Sequence, residues 1–597
     1  MVITTAEGAR SVVAARSIRD TMVAAGADPV VARARVVAGA ALAVARHLGV
    51  EPSPSALFSR WGPPVAIEVP SIDASPSLVG TVHEGLLDAA GRRSNGVFYT
   101  PAAVAAAVAG WALERRTSAR SVVCDPASGG GIFLLAAAEV LVAGGRSREE
   151  VVSECLIGAD VDPVAVAVTQ AVLHLWCGGV AVPRMVVGDA LALDVRDWPV
   201  RPDVVVGNPP FLNQLGRATV RPHGEIVALR RRLGAAVTAY ADTAVLFLVM
   251  ATGLVGPGGT VALILPESFL ATRDAGAARS AVLLDASLEA LWTPSVPVFR
   301  AAAVRICVPV LRRGGDRRGR LRLWREMPPR LAAEVELDAD VLSDAPTWSH
   351  LLSTGSDAPD WTIEGEGVLG QWCVASADFR QHYYGVAPFM IDDPGGSLDD
   401  ERFPRLVTVG LVDPAVCRWG QRPTRHHRQR WQQPRVDLSR LETESELGPW
   451  AASRLVPKVV VATQTRVVEA AVDVDGSWLP STPLISVMAP AARLWHIAAA
   501  LLAPPVTLWA LRHWQGAALS AGGLKLSAAQ VGSLPAPRPG ADWNEAADCV
   551  RRAGDVADEV DRRKWLLAAG TASSRAYGID DPAVVAWWEA RLPNWQL

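Results

Sequence analysis

The sequence predicts an α/β protein. A doubly wound, mainly parallel sheet is expected within residues 85–320, behind a helical segment 1–84 and ahead of an α+β region 321–540 and a helical end 541–597. Three observations carry this. Short β-rich runs alternate with helical stretches through the first half, the signature of strands joined by crossover helices. Glycines or acids stand directly after several of these runs, where such sheets place their ligands. Beyond Arg320 the chain becomes rich in Trp, Pro and Arg, and its periodicity weakens. The 597 residues are 50% hydrophobic and 20% charged with a formal net charge of −3, which excludes a disordered chain and a globally basic nucleic-acid coat.

The first 84 residues are rich in Ala, Val and Arg, with helical spacing around Ala32–Leu48. The expected strands are Ser121–Cys124, Cys155–Gly158, Met185–Val187, Asp203–Val206, Val261–Leu265 and Val304–Val308. Thr243–Leu265 is apolar enough to span a bilayer by length, but Gly256-Pro257-Gly258-Gly259 breaks it. It reads as helix, turn and buried strand, so no membrane segment is expected. The Gly/Arg-rich stretch Arg312–Arg320 is expected to mark a domain boundary. Met1–Arg16 has no charged-then-apolar leader pattern, and the seven cysteines include no C-x-x-C pair. A reduced, cytoplasmic setting without disulfides or metal is the expectation.

Four short motifs carry chemistry. Asp125-Pro126-Ala127-Ser128-Gly129-Gly130-Gly131-Ile132-Phe133 follows a strand, and its glycines allow a sharp turn and close backbone approach to a ligand. It lacks the third glycine of the dinucleotide fingerprint and the Gly-Lys-Ser/Thr end of a phosphate loop; a tight turn alone is the plainer reading. Gly158-Ala159-Asp160-Val161-Asp162-Pro163 places Asp160 to accept hydrogen bonds from a ribose diol and Asp162 to cap a helix. Asp189, in Val187-Gly188-Asp189, stands ready for an adenine amino group or as a plain loop cap. In Asn208-Pro209-Pro210-Phe211 the prolines stiffen the backbone. The carbonyls of Asn208 and Pro209 can then accept both hydrogens of a planar amine and raise its nucleophilicity. An aromatic at 211 can stack on the ring bearing that amine, a contact worth roughly 1–3 kcal/mol.

Together these residues resemble the gamma-class N6-adenine DNA methyltransferases, which use S-adenosylmethionine. The 125–133 turn looks like that family's first cofactor motif and Asn208–Phe211 its catalytic motif. Gly96-Val97-Phe98-Tyr99-Thr100-Pro101 is similar to the segment that caps the methionine end of the cofactor. The resemblance continues through Leu263–Phe269 and Val298-Phe299-Arg300, so it covers about residues 90–310. It implies a Rossmann-like class I methyltransferase domain. Thr100, Asp125, Pro126, Ala127, Gly129, Gly131 and Phe133 would hold the cofactor's amino-acid part, Asp160 and Val161 its ribose side, and Asp189 its adenine. Asn208, Pro209, Pro210 and Phe211 would be catalytic, with Phe299 a second wall for a flipped-out base. Two departures stand out: Phe211 replaces the more frequent tyrosine, and Ala241-Asp242-Thr243 follows Tyr240 where Asp-Leu-Tyr is more usual.

The C-terminal half reads as a target-recognition domain for double-stranded DNA. No acid occurs between Asp413 and Asp437, while Arg418, Arg422, Arg425, Arg428, Arg430 and Arg435 do, interleaved with Trp419, Trp431, His426 and His427. Arg418, Trp419, Arg422, Arg425, Arg428, Arg430 and Trp431 are the expected DNA contacts. Looser similarity to target-recognition domains lies in Pro457–Ala462, Gly523–Leu526 and Leu534–Pro537. Only three lysines occur (Lys458, Lys525 and Lys564), so residues before 458 supply no Glu-x-Lys nuclease site. The expected activity is site-specific adenine methylation in a restriction-modification or phage-defence system, with a separate nuclease or defence subunit as partner. A methyltransferase for RNA or protein glutamine, or a non-catalytic DNA-binding subunit, stay open as alternatives.

Overall fold

A computed structural model describes residues 7–87, 100–114, 120–212, 221–238, 241–299, 304–354, 358–359, 361, 363, 365–516 and 523–593. The chain divides into two compact units, Met1–Thr347 and Trp348–Leu597.

The first unit opens with three helices: α1 (Glu7–Ala24), α2 (Pro29–Leu48) and α3 (Pro76–Leu86). Helix α2 is delimited by its sequence. Asp28 accepts from the amides of Val30 and Val31, Pro29 occupies the first turn, and Gly49 closes the end in the left-handed region at φ 64°. Its small Ala and Val residues are buried at the centre of a core that also takes in α1, α3 and a helix of the sheet domain.

After α4 (Ala102–Leu113), the chain alternates as expected through β1 (Val123–Asp125), α5 (Ile132–Ala143), β2 (Leu156–Asp160), α6 (Pro163–Trp176), β3 (Arg184–Val187) and β4 (Val204–Gly207). It continues with α7 (His223–Leu233), α8 (Thr243–Leu254), β5 (Thr260–Leu263) and β6 (Leu265–Pro266). The apolar 243–265 stretch is therefore helix, turn and buried strand. Strands β7 (Ala286–Trp292), β8 (Ile306–Arg313), β9 (Arg318–Arg325) and β10 (Arg330–Asp338) complete the sheet.

The sheet order is β10-β9-β7-β8-β5-β4-β1-β2-β3, with β6 beside β8. Strands β3, β2, β1, β4 and β5 run parallel; β8 is antiparallel to β5 and to β7. Every residue of β1, β4 and β5 is buried, which explains their mainly apolar composition. Because β1 pairs on one side with β2 and on the other with β4, the winding reverses between β1 and β4. Ligands of such sheets bind at that reversal, beyond the carboxyl ends of the strands.

The boundary expected at 320 falls inside this sheet. Gly314 turns the chain at φ 67° between β8 and β9, and the flanking arginines pair with acids of the same unit. Arg312 pairs with Glu289 at 2.6 Å and Arg318 with Asp338 at 3.0 Å. A run of arginines resembles a linker in sequence, but here it lies along strands whose partner acids come from elsewhere.

The second unit has two four-stranded sheets. One orders Val374–Ala377, Ile485–Met488, Lys458–Val461 and Ala470–Asp473; the other orders Met390–Asp392, Pro434–Val436, Arg405–Val407 and Trp478–Pro480. Helices Leu494–Leu502, Ala541–Asp555 and Glu559–Ala576 share one core with the first sheet, so 541–597 is part of this unit and not a separate appendage. Lys458 is buried in an ion pair with Asp473 at 2.5 Å. Among the described residues no single helix is long and apolar enough to cross a membrane.

Candidate active site and DNA-facing surface

The carboxyl ends of four adjacent parallel strands present the motif residues in spatial order: Asn208 after β4, Asp125 on β1, Asp160 on β2 and Asp189 after β3. With strands spaced by about 4.8 Å, this row extends roughly 14 Å.

The turn after β1 is built by hydrogen bonds. Ala127 N donates to Asp125 Oδ1 (3.0 Å), Ser128 N to Ala159 O (3.0 Å) and Gly129 N to Asp160 Oδ2 (2.9 Å). Gly131 has φ 80° and lies so close to Thr169 that a Cβ would stand 3.2 Å from that residue's Cα, so glycine answers both the backbone conformation and the packing. Thr169 Oγ1 donates to Gly129 O at 3.1 Å, tying α6 to the turn. Pro126 is buried, and Phe133 is a core side chain. Phe133 therefore seats α5 beneath the turn.

Asp160 accepts at both oxygens, from Gly129 N and from Asp162 N (2.9 Å), while Asp162 caps α6 through Val164 N. The helix cap expected of Asp162 is therefore present. Asp189 is exposed, and its Oδ1 accepts from Leu191 N at 2.9 Å. Val161 and Val187 are 68% and 51% exposed at the ends of β2 and β3, two apolar side chains beside these acids.

Asp125 is buried beside the Asn208–Phe211 motif: a Cβ on Gly207 would stand 2.6 Å from Asp125 Oδ1. Burial, with a smaller contribution from the charge of Asp160, pushes its carboxyl up to about 8 against the backbone hydrogen bond from Ala127. No arginine or lysine among the described residues pairs with it. A buried carboxyl of this kind fits a cationic ligand group. The acids at Asp160 and Asp189 and the exposed valines between them fit a ribose and a purine. The residues present thus suit S-adenosylmethionine, with its positive amino-acid end at β1.

Asn208 directs its Nδ2 to the buried hydroxyl of Thr100, donating at 3.1 Å. That contact fixes the amide's orientation and leaves its carbonyl as the acceptor end. Pro209 is buried. Phe211 lies edge-on to Phe299, with ring centroids 6.3 Å apart and planes at 64°, although 88 residues separate them in sequence (299 against 211). Gly96–Tyr99, Tyr240 and Arg300 lie outside the described residues.

Sequence reasoning missed Asp242. It caps α8 through Ala244 N at 2.9 Å, and the amide of Leu212 also lowers its pKa by hydrogen bonding, so it clasps the residue that follows the Asn208–Phe211 motif. Burial outweighs these bonds and raises its carboxyl to about 6. The signal was an acid directly before an apolar helical run. Gly80 of α3 was also missed; it packs against the Gly130 carbonyl of the turn, where no Cβ would fit. No local pattern announces that contact.

The expected DNA-contact arginines separate into two groups. Arg418 is buried and saturated: Nε donates to Asp413 at 2.8 Å, Nη1 and Nη2 to Glu559 at 2.5 and 2.9 Å. Arg422 pairs with Asp413 at 2.6 Å, and Arg435 is buried against Asp393 and Asp400. Trp419 donates to Pro434 O at 2.9 Å and lies beneath the Arg405 and Arg435 guanidiniums. Arg418, Trp419 and Arg422 are thus architectural, contrary to expectation, because acids flanking the run or distant in sequence satisfy them. Arg425, Arg428 and Arg430 are exposed on the hairpin Thr424–His426/Gln429–Trp431, and Trp431 is half-buried with its Nε1 bonded to His426 O.

Residues 74–324 match the family described as N-6 DNA Methylase. This segment belongs to that family. That segment is accordingly a DNA methyltransferase domain of the adenine-N6 kind. Among solved structures, the Type IIL restriction-modification enzyme MmeI in complex with DNA superposes with a TM-score of 0.65 at 12% identity, covering 98% of each chain. The chain therefore shares its fold with that enzyme. Similarity to the DrdV–DNA complex has a TM-score of 0.47 at 13% identity, over 92% of this chain and 70% of that one. For the type IIG restriction endonuclease BpuSI the TM-score is 0.42 at 14% identity, over 96% and 77%. No curated protein matches the chain.

Proposed function

We propose that this chain is a site-specific adenine DNA methyltransferase, class EC 2.1.1.72, using S-adenosylmethionine on double-stranded DNA. The observation that carries the reading is the pairing, across the reversal between β1 and β4, of a buried Asp125 with an Asn208 oriented by Thr100. S-adenosylmethionine supplies the methyl group as a sulfonium electrophile. Asp125 and the 126–131 turn hold its amino-acid end, Asp160 and Val161 the ribose, and Asp189 the adenine. The target adenine must leave the duplex for its amino group to be reached. Phe211 and Phe299 receive its ring. The Asn208 side-chain carbonyl and the Pro209 backbone carbonyl accept the two amino hydrogens and direct the nitrogen lone pair towards the electrophile. Positioning and fixed dipoles provide the acceleration, and no covalent enzyme intermediate is needed.

In this reading the helices of residues 7–87 brace the cofactor turn, and Trp348–Leu597 contains the target-recognition domain. A restriction nuclease or defence subunit is the partner in the cell, and similarity in fold to a restriction-modification enzyme supports that setting. The test is modification-sensitive sequencing of DNA from cells expressing the wild type beside Asn208→Ala. N6-methyladenine in one sequence context, absent from the control, upholds the proposal. Unmodified DNA from cells with soluble wild-type protein overturns it.

A further inference from the structure

The hairpin Thr424–His426/Gln429–Trp431 breaks two local rules at once. Its turn residues, His427 and Arg428, both have positive φ, at 48° and 66°. Two-residue hairpin turns of that shape favour Asn-Gly, because other side chains strain the backbone there. Its strands set Arg425 directly opposite Arg430, although like charges facing each other across a strand pair are unfavourable. No ion pair to Arg425, Arg428 or Arg430 occurs among the described residues, whereas Arg418, Arg422 and Arg435 nearby are all matched by acids.

The tip is also held in place from beneath. His427 N donates to Tyr383 Oη at 2.8 Å, the Tyr383 ring lies 4.2 Å from that of His426, and Tyr384 meets His427 edge-on at 5.9 Å while remaining 56% exposed. Both tyrosines belong to the helix Arg380–Val386. A strained turn with exposed cationic and aromatic side chains, on a braced base, is costly unless it meets a partner.

We infer that this hairpin is the base-reading finger of the methyltransferase: Arg425 and Arg430 clasp backbone phosphate, and His427 and Arg428 reach base edges in the major groove. A two-stranded ribbon fits that groove, and a guanidinium there pairs most naturally with guanine O6 and N7. Phosphate between Arg425 and Arg430 removes their mutual repulsion, so DNA relieves what the free protein bears. The inference rests on the DNA methyltransferase reading for its ligand.

The decisive variant is His427→Asn with Arg428→Gly, which installs the relaxed turn. Its melting temperature should rise, or hold, while discrimination at one or two base positions of the methylated site falls about tenfold to a hundredfold. Arg425→Ala with Arg430→Ala should keep the recognised sequence and reduce the salt slope of duplex binding by about 1 to 2. The recognised sequence and its stringency are read by modification-sensitive sequencing, and the slope by fluorescence anisotropy on a random-sequence duplex at several salt concentrations. An unchanged sequence preference in the first variant, or an unchanged slope in the second, overturns the finger. Wild type that binds duplex but deposits no N6-methyladenine would instead overturn the catalytic reading; the slope comparison would still decide the hairpin's role.

Discussion

The catalytic motif and the arginine run look equally dense in sequence, yet the structure treats them in opposite ways. At the sheet, each motif stays with the strand that carries it, and adjacency of strands brings Asp125, Asp160, Asp189 and Asn208 into one row. In the second unit, residues seven positions apart have unrelated fates: Arg418 is buried on Glu559, while Arg425 is exposed on a hairpin. A strand end fixes where its next residue goes. A charge in a run has its role fixed by acids that local sequence does not reveal.

The largest effect expected from this contrast is in stability. Arg418→Ala leaves Asp413 and Glu559 short of a partner, and breaking a buried ion pair costs about 3–5 kcal/mol. The low end applies, because Asp413 keeps Arg422 and Glu559 keeps Arg562. A melting temperature lower by roughly 6–12 °C is expected, against an exposed Arg425→Ala within about 0.5 kcal/mol of wild type. Calorimetry on the two variants checks this, and equal melting temperatures would break the distinction between the two groups of arginines.

Next comes a change in turnover without a change in stability. Asn208→Ala should lower methylation about 10²–10³-fold or more, the scale for loss of one preorganised polar contact to a transition state. Cofactor affinity, measured by calorimetric titration, should stay near wild type, since the proposed function gives Asn208 to the amine and Asp125 to the cofactor's cationic end. A parallel loss of both would move Asn208 into the cofactor site.

The alternation of strands and helices was legible because buried parallel strands must be continuously apolar and their crossovers amphipathic. The domain boundary was not: Arg312–Arg320 has a linker's composition, but Glu289 and Asp338 make it part of the sheet. Asn208 was legible through its prolines, whereas its partner Thr100 emerged only from resemblance, Asp242 showed only as an acid before an apolar run, and Gly80 not at all. The contact of Gly80 with Gly130 joins residues 50 positions apart (130 against 80), through the bare absence of a side chain. That contact is itself testable. Gly80→Ala would push a methyl into the Gly130 carbonyl, an overpacking cost of about 1–3 kcal/mol. Weaker cofactor binding should accompany the lower melting temperature, and unchanged binding would show that α3 braces the fold but not the turn.

The smallest effect concerns protons, and it separates the two regions by their electrostatics. Arg418, followed by Arg562, holds Glu559 down to about 2, so that pair stays charged at every working pH. Asp125, raised to about 8 by burial, holds its proton at neutral pH in the free protein. A cationic cofactor end binds the ionised carboxylate, so binding near pH 7 must release that proton. Affinity for S-adenosylmethionine should therefore rise with pH, by at most about tenfold per unit for one proton, and level off above about 8. The sign for folding is opposite. A carboxyl whose folded pKa exceeds its unfolded value favours the native state at low pH, and that contribution is lost as pH rises towards about 8. Titrations at several pH values, in buffers of different ionisation enthalpy, count the proton directly. Asp125→Asn should bind more weakly and abolish the pH dependence. If the slope persists in that variant, the proton comes from the cofactor's own amino group, and Asp125 is already ionised when the cofactor arrives.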